Sequence, residues 1–288
     1  MKQLEYVWLS NLDISNENKF KLMKKFGGIR ELYQASLDDL MELELKENMI
    51  YKILNRDTKE KAERDLEYMR KNKIELISLE NQEYPEKFRE LKDKPICIYV
   101  KGDAKILKNE SVGIVGSRIA LKESMEMARM VAEYFARKGI NVISGLAKGI
   151  DKSAHLGALD TYSKEKLQNG KTIGVLACGL DKNSFYPHEN LKVYERIVRE
   201  GGCVISEYPI RTIPKPYYFP LRNRLISGLS DKIFVIQASS LKSGSMITVD
   251  YALEQGKEVY VYQSSNIENP YFEGNRMLIE EGAKIFKI

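Results

Sequence analysis

The sequence predicts an α/β protein: a parallel sheet covered by helices on both faces, preceded by a small helical domain. Three observations lead there. Apolar side chains recur at helical spacing over the first 75 residues or so. From near Ile74 onward, short apolar runs alternate with helical stretches, the pattern of strands joined by crossover helices. The chain has 288 residues, of which 43% are hydrophobic and 30% charged, enough for a real core in one large domain or two ordinary ones.

The N-terminal helices come first. Leu4, Val7, Trp8 and Leu12 share one helical face, as do Phe20, Met23 and Phe26, and then Leu37, Leu40 and Met41. Gly27-Gly28 breaks the second helix. Ser36 precedes Leu37-Asp38-Asp39, an N-cap followed by acids in the first turn. Thr58 is placed to start a last helix from about Lys59 to Lys71. Short helices with tight turns predict a bundle over residues 1–75, of helix-hairpin-helix type, that serves as a docking or oligomerisation module. The expected strands are Ile96–Val100, Val112–Val115, Asn141–Ser144, Thr172–Ala177, Cys203–Ile205, Ile233–Ala238 and Val259–Tyr262. Helices fit at about 120–138, 151–163, 190–200, 245–256 and 275–281. Open sheets of this kind bind ligands at the carboxyl ends of their strands.

Composition excludes several classes. No apolar run approaches the roughly 20 residues of a membrane helix. The first residues lack the continuous apolar stretch of a signal peptide, so a cytoplasmic location is expected. Cys97, Cys178 and Cys203 are odd in number, and His155 and His188 are the two histidines, so neither a disulfide framework nor a structural metal site is expected. Net charge is +5; residues 1–76 hold 15 basic and 15 acidic side chains, so the excess lies beyond them. That distribution permits an anionic partner.

Three loops carry the chemistry. After the Val112 strand comes Gly116-Ser117-Arg118: glycine, hydroxyl and a planar cation before a helix, which suits phosphate. It is neither GxGxxG nor a GxxxxGK[ST] loop. The next strand ends in Ser144-Gly145-Leu146-Ala147-Lys148-Gly149-Ile150-Asp151, with Ala154-His155 beyond. After the Ile233 strand, Gln237-Ala238 leads through Lys242-Ser243-Gly244-Ser245 to another helix start. Such loops can converge at one sheet edge, where a shared anion site outweighs three separate turns. Phe219-Pro220-Leu221-Arg222-Asn223-Arg224 adds aromatic rings beside arginines, a composition suited to single-stranded nucleic acid; the same residues could instead fill the core and pair with acids. Arg222 and Arg224 face one side only in a strand; in a helix one of them reaches a ligand. His155 has no nucleophile beside it, and no carboxylate pair is arranged for hydrolysis.

As an ordered set, Gly116-Ser117-Arg118, Ser144 to Asp151, Tyr186-Pro187, Ser206-Glu207-Tyr208-Pro209, Phe219 to Arg224, Ser243-Gly244-Ser245 and Gly274-Asn275 resemble the DNA-processing protein A (DprA/Smf) family over roughly residues 80–288. The resemblance implies an extended Rossmann-like domain over residues 76–288 that binds single-stranded DNA, behind a sterile-alpha-motif-like helical domain at residues 1–75. It implies a homodimer that protects single strands during natural transformation and loads RecA, without enzymatic activity, cofactor or metal. The DNA-binding residues so implied are Gly116, Ser117, Arg118, Gly145, Lys148, Gly149, Phe219, Arg222, Asn223, Arg224, Lys242, Ser243 and Gly244. Departures are Gln237 where many relatives have Glu, Gln263-Ser264 in place of Pro-Gly, and His188 in place of a basic residue. The chain ends at Ile288, so a C-terminal winged-helix domain is not expected. The competing expectation is a nucleotide or nucleoside-phosphate hydrolase, or a nucleotide sensor, on the same scaffold. A PGGxGT motif would favour the hydrolase, and Leu241-Lys242-Ser243-Gly244-Ser245 does not match it.

Overall fold

Polar side-chain caps set where three of the N-terminal helices begin. The computed structural model describes residues 2–43, 45–165, 170–240 and 243–286. Six helices open the chain: α1 (Lys2–Asn11), α2 (Asn16–Phe26), α3 (Ile29–Gln34), α4 (Leu37–Met41), α5 (Glu47–Leu54) and α6 (Arg56–Asn72). Ser15 accepts the Asn18 amide ahead of α2, and Gly27 closes that helix at φ +78°. Ser36 and Asp39 form a reciprocal capping box at α4. The last helix starts earlier than the expected Thr58: Asn55 is its cap, accepting the Thr58 amide at 3.3 Å.

The rest alternates strand and helix: β1 (Ile74–Ser78), α7 (Glu86–Arg89), β2 (Cys97–Gly102), β3 (Ser111–Val115), α8 (Lys122–Arg137), β4 (Asn141–Ser144), α9 (Ile150–Glu165), β5 (Thr172–Val175), α10 (Leu191–Arg199), β6 (Cys203–Ser206), α11 (Tyr218–Leu229), β7 (Lys232–Val235), α12 (Gly244–Glu254), β8 (Glu258–Tyr262), α13 (Glu273–Glu280) and β9 (Lys284–Phe286). Among the described residues they form one nine-stranded sheet in the order β1-β2-β6-β5-β4-β3-β7-β8-β9.

From β6 to β9 the neighbours are parallel. At the other edge β1 and β2 run antiparallel, Ile77 opposite Ile98 and Val100 opposite Ile205. The sheet is therefore mostly, not wholly, parallel as expected from the alternation. Only the short α7 lies between β1 and β2, too little for a crossover helix. β1 was not among the expected strands, because exposed Glu75 interrupts its apolar run.

Successive residues of the central strands face opposite cores. Val112, Ile114, Val142 and Phe234 pack with α8 and α9; Val115, Ile143, Ile233 and Val235 pack with α11 and α12. A third core is shared: Tyr6, Trp8 and Leu9 of α1 lie in one apolar cluster with Leu76, Tyr99, Tyr194 and Val204. Ser10 Oγ and Tyr99 Oη, 2.5 Å apart, hydrogen-bond across that contact.

The path of the chain positions the site. β3, β4, β5 and β6 step in one direction across the sheet; α11 then returns the chain to β7 on the other side of β3. The connections leaving β3 and β7 diverge, which opens a crevice at their carboxyl ends.

Candidate functional site

A cleft of about 800 Å³ occupies that switch point. Its lining brings together Gly116-Ser117-Arg118 after β3, Ala147 and Asp151 after β4, Ser239 and Ser243-Gly244-Ser245 after β7, and Phe219, Arg222 and Asn223 from α11. Three loops spread over more than a hundred residues of chain thus share one floor.

Close backbone approach fixes the glycines. A Cβ on Gly149, at φ +70°, would stand 2.4 Å from the Ser117 carbonyl oxygen. A Cβ on Gly145 would overlap the Arg222 guanidinium, and one on Gly116 would lie 2.7 Å from Ile150 Cγ1. Gly244 differs: a Cβ there meets nothing within 4 Å, so the first turn of α12 faces open space. The Met246 amide donates to the Ser243 carbonyl at 3.0 Å, and the Gly244 and Ser245 amides ahead of it stand at the positive end of the helix dipole.

The two cleft arginines are built differently. Arg222 is buried; its Nη1 donates to the Val175 carbonyl at 2.6 Å, and burial lowers its pKa while Asp151 opposes that shift. Asp151 Oδ2 accepts the Gly145 amide at 3.1 Å and the Ala147 amide at 3.4 Å. The Gly145 and Ala147 amides of the β4 loop are therefore filled from within by a side-chain carboxylate. Burial raises the Asp151 pKa, partly offset by Arg222. Ser117 likewise donates its amide to the Gln237 carbonyl at 2.8 Å, and the residue lines the cleft. Arg118 is exposed, has no carboxylate partner among the described residues, and lies 4.9 Å from the Phe219 ring centroid. Tyr186 meets Phe219 edge-on at 5.9 Å, extending an aromatic wall.

Other expected residues fall elsewhere. α11 is a helix, so Arg222 and Arg224 project about 200° apart. Arg224 turns away from the cleft into a buried bidentate pair with Glu207, at 2.5 and 2.6 Å. Burial alone would lower its pKa, but Glu207 outweighs this and raises it. Lys148 pairs with Glu189 at 2.5 Å, outside the cleft lining, and that bond raises its pKa. Asn223 lines the cleft and ties α11 to α12 through the Gly244 carbonyl at 2.9 Å. Lys242 lies outside the described residues. His188 is exposed and does not line the cleft.

Several supporting residues gave no sign in the sequence of what they hold. Gln237 is buried: its Oε1 accepts the Leu121 amide at 2.9 Å and its Nε2 donates to the Ile119 carbonyl at 3.1 Å, clamping the Arg118 loop. A carboxylate there could accept but not donate, so the departure to glutamine has a structural role. Asn190 donates to the Leu146 and Ala147 carbonyls at 2.9 and 3.0 Å, holding buried Leu146 at φ +54°. His155 is buried against Thr172 at 2.6 Å; the threonine hydroxyl donates onward to Val142, so Nδ1 carries the proton. Among the described residues, no group of three or more His, Cys, Asp or Glu side chains could hold a metal ion.

Sheet order and crevice define an open α/β protein of Rossmann-like class whose switch-point cleft joins guanidinium, hydroxyl and aromatic groups. The family model described as DNA recombination-mediator protein A matches residues 75–288. DNA processing protein DprA of Bacillus subtilis (strain 168) is 36% identical over 225 residues, which cover 78% of this chain and 72% of that protein. The X-ray structure of DprA from Streptococcus pneumoniae aligns at a TM-score of 0.78 and 28% identity, covering 99% of this chain and 95% of that one. DprA from Helicobacter pylori, whose structure concerns a unique single-stranded DNA binding mode, aligns at 0.62 with 33% identity, covering 73% and 90%. The chain belongs to the DNA recombination-mediator protein A (DprA/Smf) family.

Proposed function

We propose that the chain binds single-stranded DNA in this cleft and acts, without catalysis of its own, as a recombination mediator that protects single strands and loads RecA. The observation that carries the reading is Arg118, an exposed guanidinium without an acid partner among the described residues, lying over the Phe219 ring at the switch-point crevice. Phosphate takes such a planar donor well, and bases stack on rings of any sequence context. Arg222 supplies a second, fixed positive charge, and the first turn of α12 supplies amides; Ser117, Ser243 and Asn223 border the same space. Membership of a recombination-mediator family supports the same direction. We extend the proposal to RecA contact, a homodimer and a cytoplasmic location; among the described residues no helix is long and apolar enough to cross a membrane.

Fluorescence anisotropy with a short oligothymidine tests the reading, with duplex DNA of equal length as control. The wild type should prefer the single strand, with a slope of log K against log salt of about −0.7 per phosphate neutralised. Arg118→Ala should weaken binding about tenfold or more at unchanged melting temperature, since the residue is exposed. Unchanged affinity would overturn the assignment. Sedimentation velocity and RecA filament nucleation on the same oligonucleotide test the two partner proposals.

A further inference from the structure

The segment 207–217 joins β6 to α11 and contributes Pro214 to one wall of the cleft, with Pro216 beside it. Its inner side rests on the loop after β5: the Gly179 amide donates to the Thr212 carbonyl at 2.9 Å, and Gly179 lacks room for a side chain beneath Arg211. Its outer side meets the N-terminal helices twice. Asn16 Nδ2 on α2 lies 3.5 Å from Glu207 Oε2. Arg211 sits 3.7 Å from the buried Asp65 carboxylate and 5.2 Å from the Tyr68 ring centroid, both on α6. Arg211 holds φ +67°, a left-handed backbone that costs a non-glycine residue energy and persists only where surroundings enforce it. Neither Arg211 nor Tyr68 lines the cleft.

We propose that the N-terminal helices set the position of this cleft wall, with Arg211 as the positioning residue through which α6 holds it. The helical segment then acts on the binding cleft, and is more than a separate docking module. This inference rests on the single-stranded DNA reading above.

Full-length Arg211→Gly, Tyr68→Leu and the double variant test it by anisotropy with oligothymidine, alongside melting temperatures. Arg211→Gly relieves the left-handed backbone, and buried Asp65 keeps Lys61 at 3.4 Å and Asn11 at 3.2 Å as partners, so melting should barely change. Each single variant should weaken binding about fivefold, and the double variant no further, because both cut one link. The salt slope should stay at the wild-type value. Wild-type affinity in both single variants overturns the inference. So does a slope reduced by about 0.7 in Arg211→Gly alone, which marks direct phosphate contact. If one variant fails to fold, the other decides. A wild type that ignores oligothymidine ends the binding reading instead, which keeps the two failures distinct.

Discussion

Arg222 and Arg224 stand two positions apart in one helix and meet opposite environments. The first is pinned beside Gly145 and Asp151 at the cleft; the second is paired with Glu207 away from it. Sequence composition marks both as phosphate-binding candidates, because a guanidinium carries no label for its direction. Helix geometry alone separates them, and the aromatic run before them left strand and helix both open. The buried pair has a testable energetic signature. Glu207→Leu should leave the buried Arg224 guanidinium only the half-exposed Asp93 carboxylate, 3.3 Å from its Nε, and cost about 3 kcal/mol in urea denaturation. Adding Arg224→Met should recover most of that loss, since no buried charge of this pair then remains. A double variant as unstable as the single would show that Glu207 acts mainly through other contacts such as Asn16.

Elements were legible where periodicity is long or bounded by caps. Ser36 announces α4, and the continuous apolar strands β3 to β7 are the expected mark of a sheet buried on both faces. The loops were legible as a set because glycine and hydroxyl residues recur at strand ends. Their internal wiring was not: Gln237 clamps the loop after β3 from 116 and 118 residues away, and nothing in the sequence marks Asp151 as the acceptor of the amides after β4. The same wiring makes the β3 loop and the start of α9 one unit. Gly149→Ala should force them apart, given a Cβ contact of 2.4 Å to Ser117 and a positive φ. We expect a loss of about 1–3 kcal/mol by chemical denaturation together with weaker oligothymidine binding. Full stability in that variant would mean that the two loops move independently.

At the scale of the whole chain, the N-terminal helices and the sheet share a core through Trp8, Tyr99, Ile197 and their neighbours. Unfolding should therefore be one cooperative transition by calorimetry, and residues 76–288 alone should melt lower and bind a hydrophobic dye. Two separated transitions would contradict a shared core. His155, fully buried on α9 against Thr172 of β5, adds an acid sensitivity. Burial first, and the Arg222 charge second, lower its pKa from about 6.5 to about 3. Between those values the unfolded chain binds a proton that the folded chain refuses, so stability falls as pH drops, by up to about 1.4 kcal/mol per unit. Urea midpoints at pH 7, 6, 5 and 4 should show that slope, and His155→Gln should flatten it. An equal slope in the variant would place the sensitivity in other groups.

The seat of Arg222 bears on kinetics. A side chain already moored to the Val175 carbonyl has few rotamers left to surrender when an anion arrives. Encounter should then be governed by diffusion and long-range attraction, and variants of this crevice should differ chiefly in residence time.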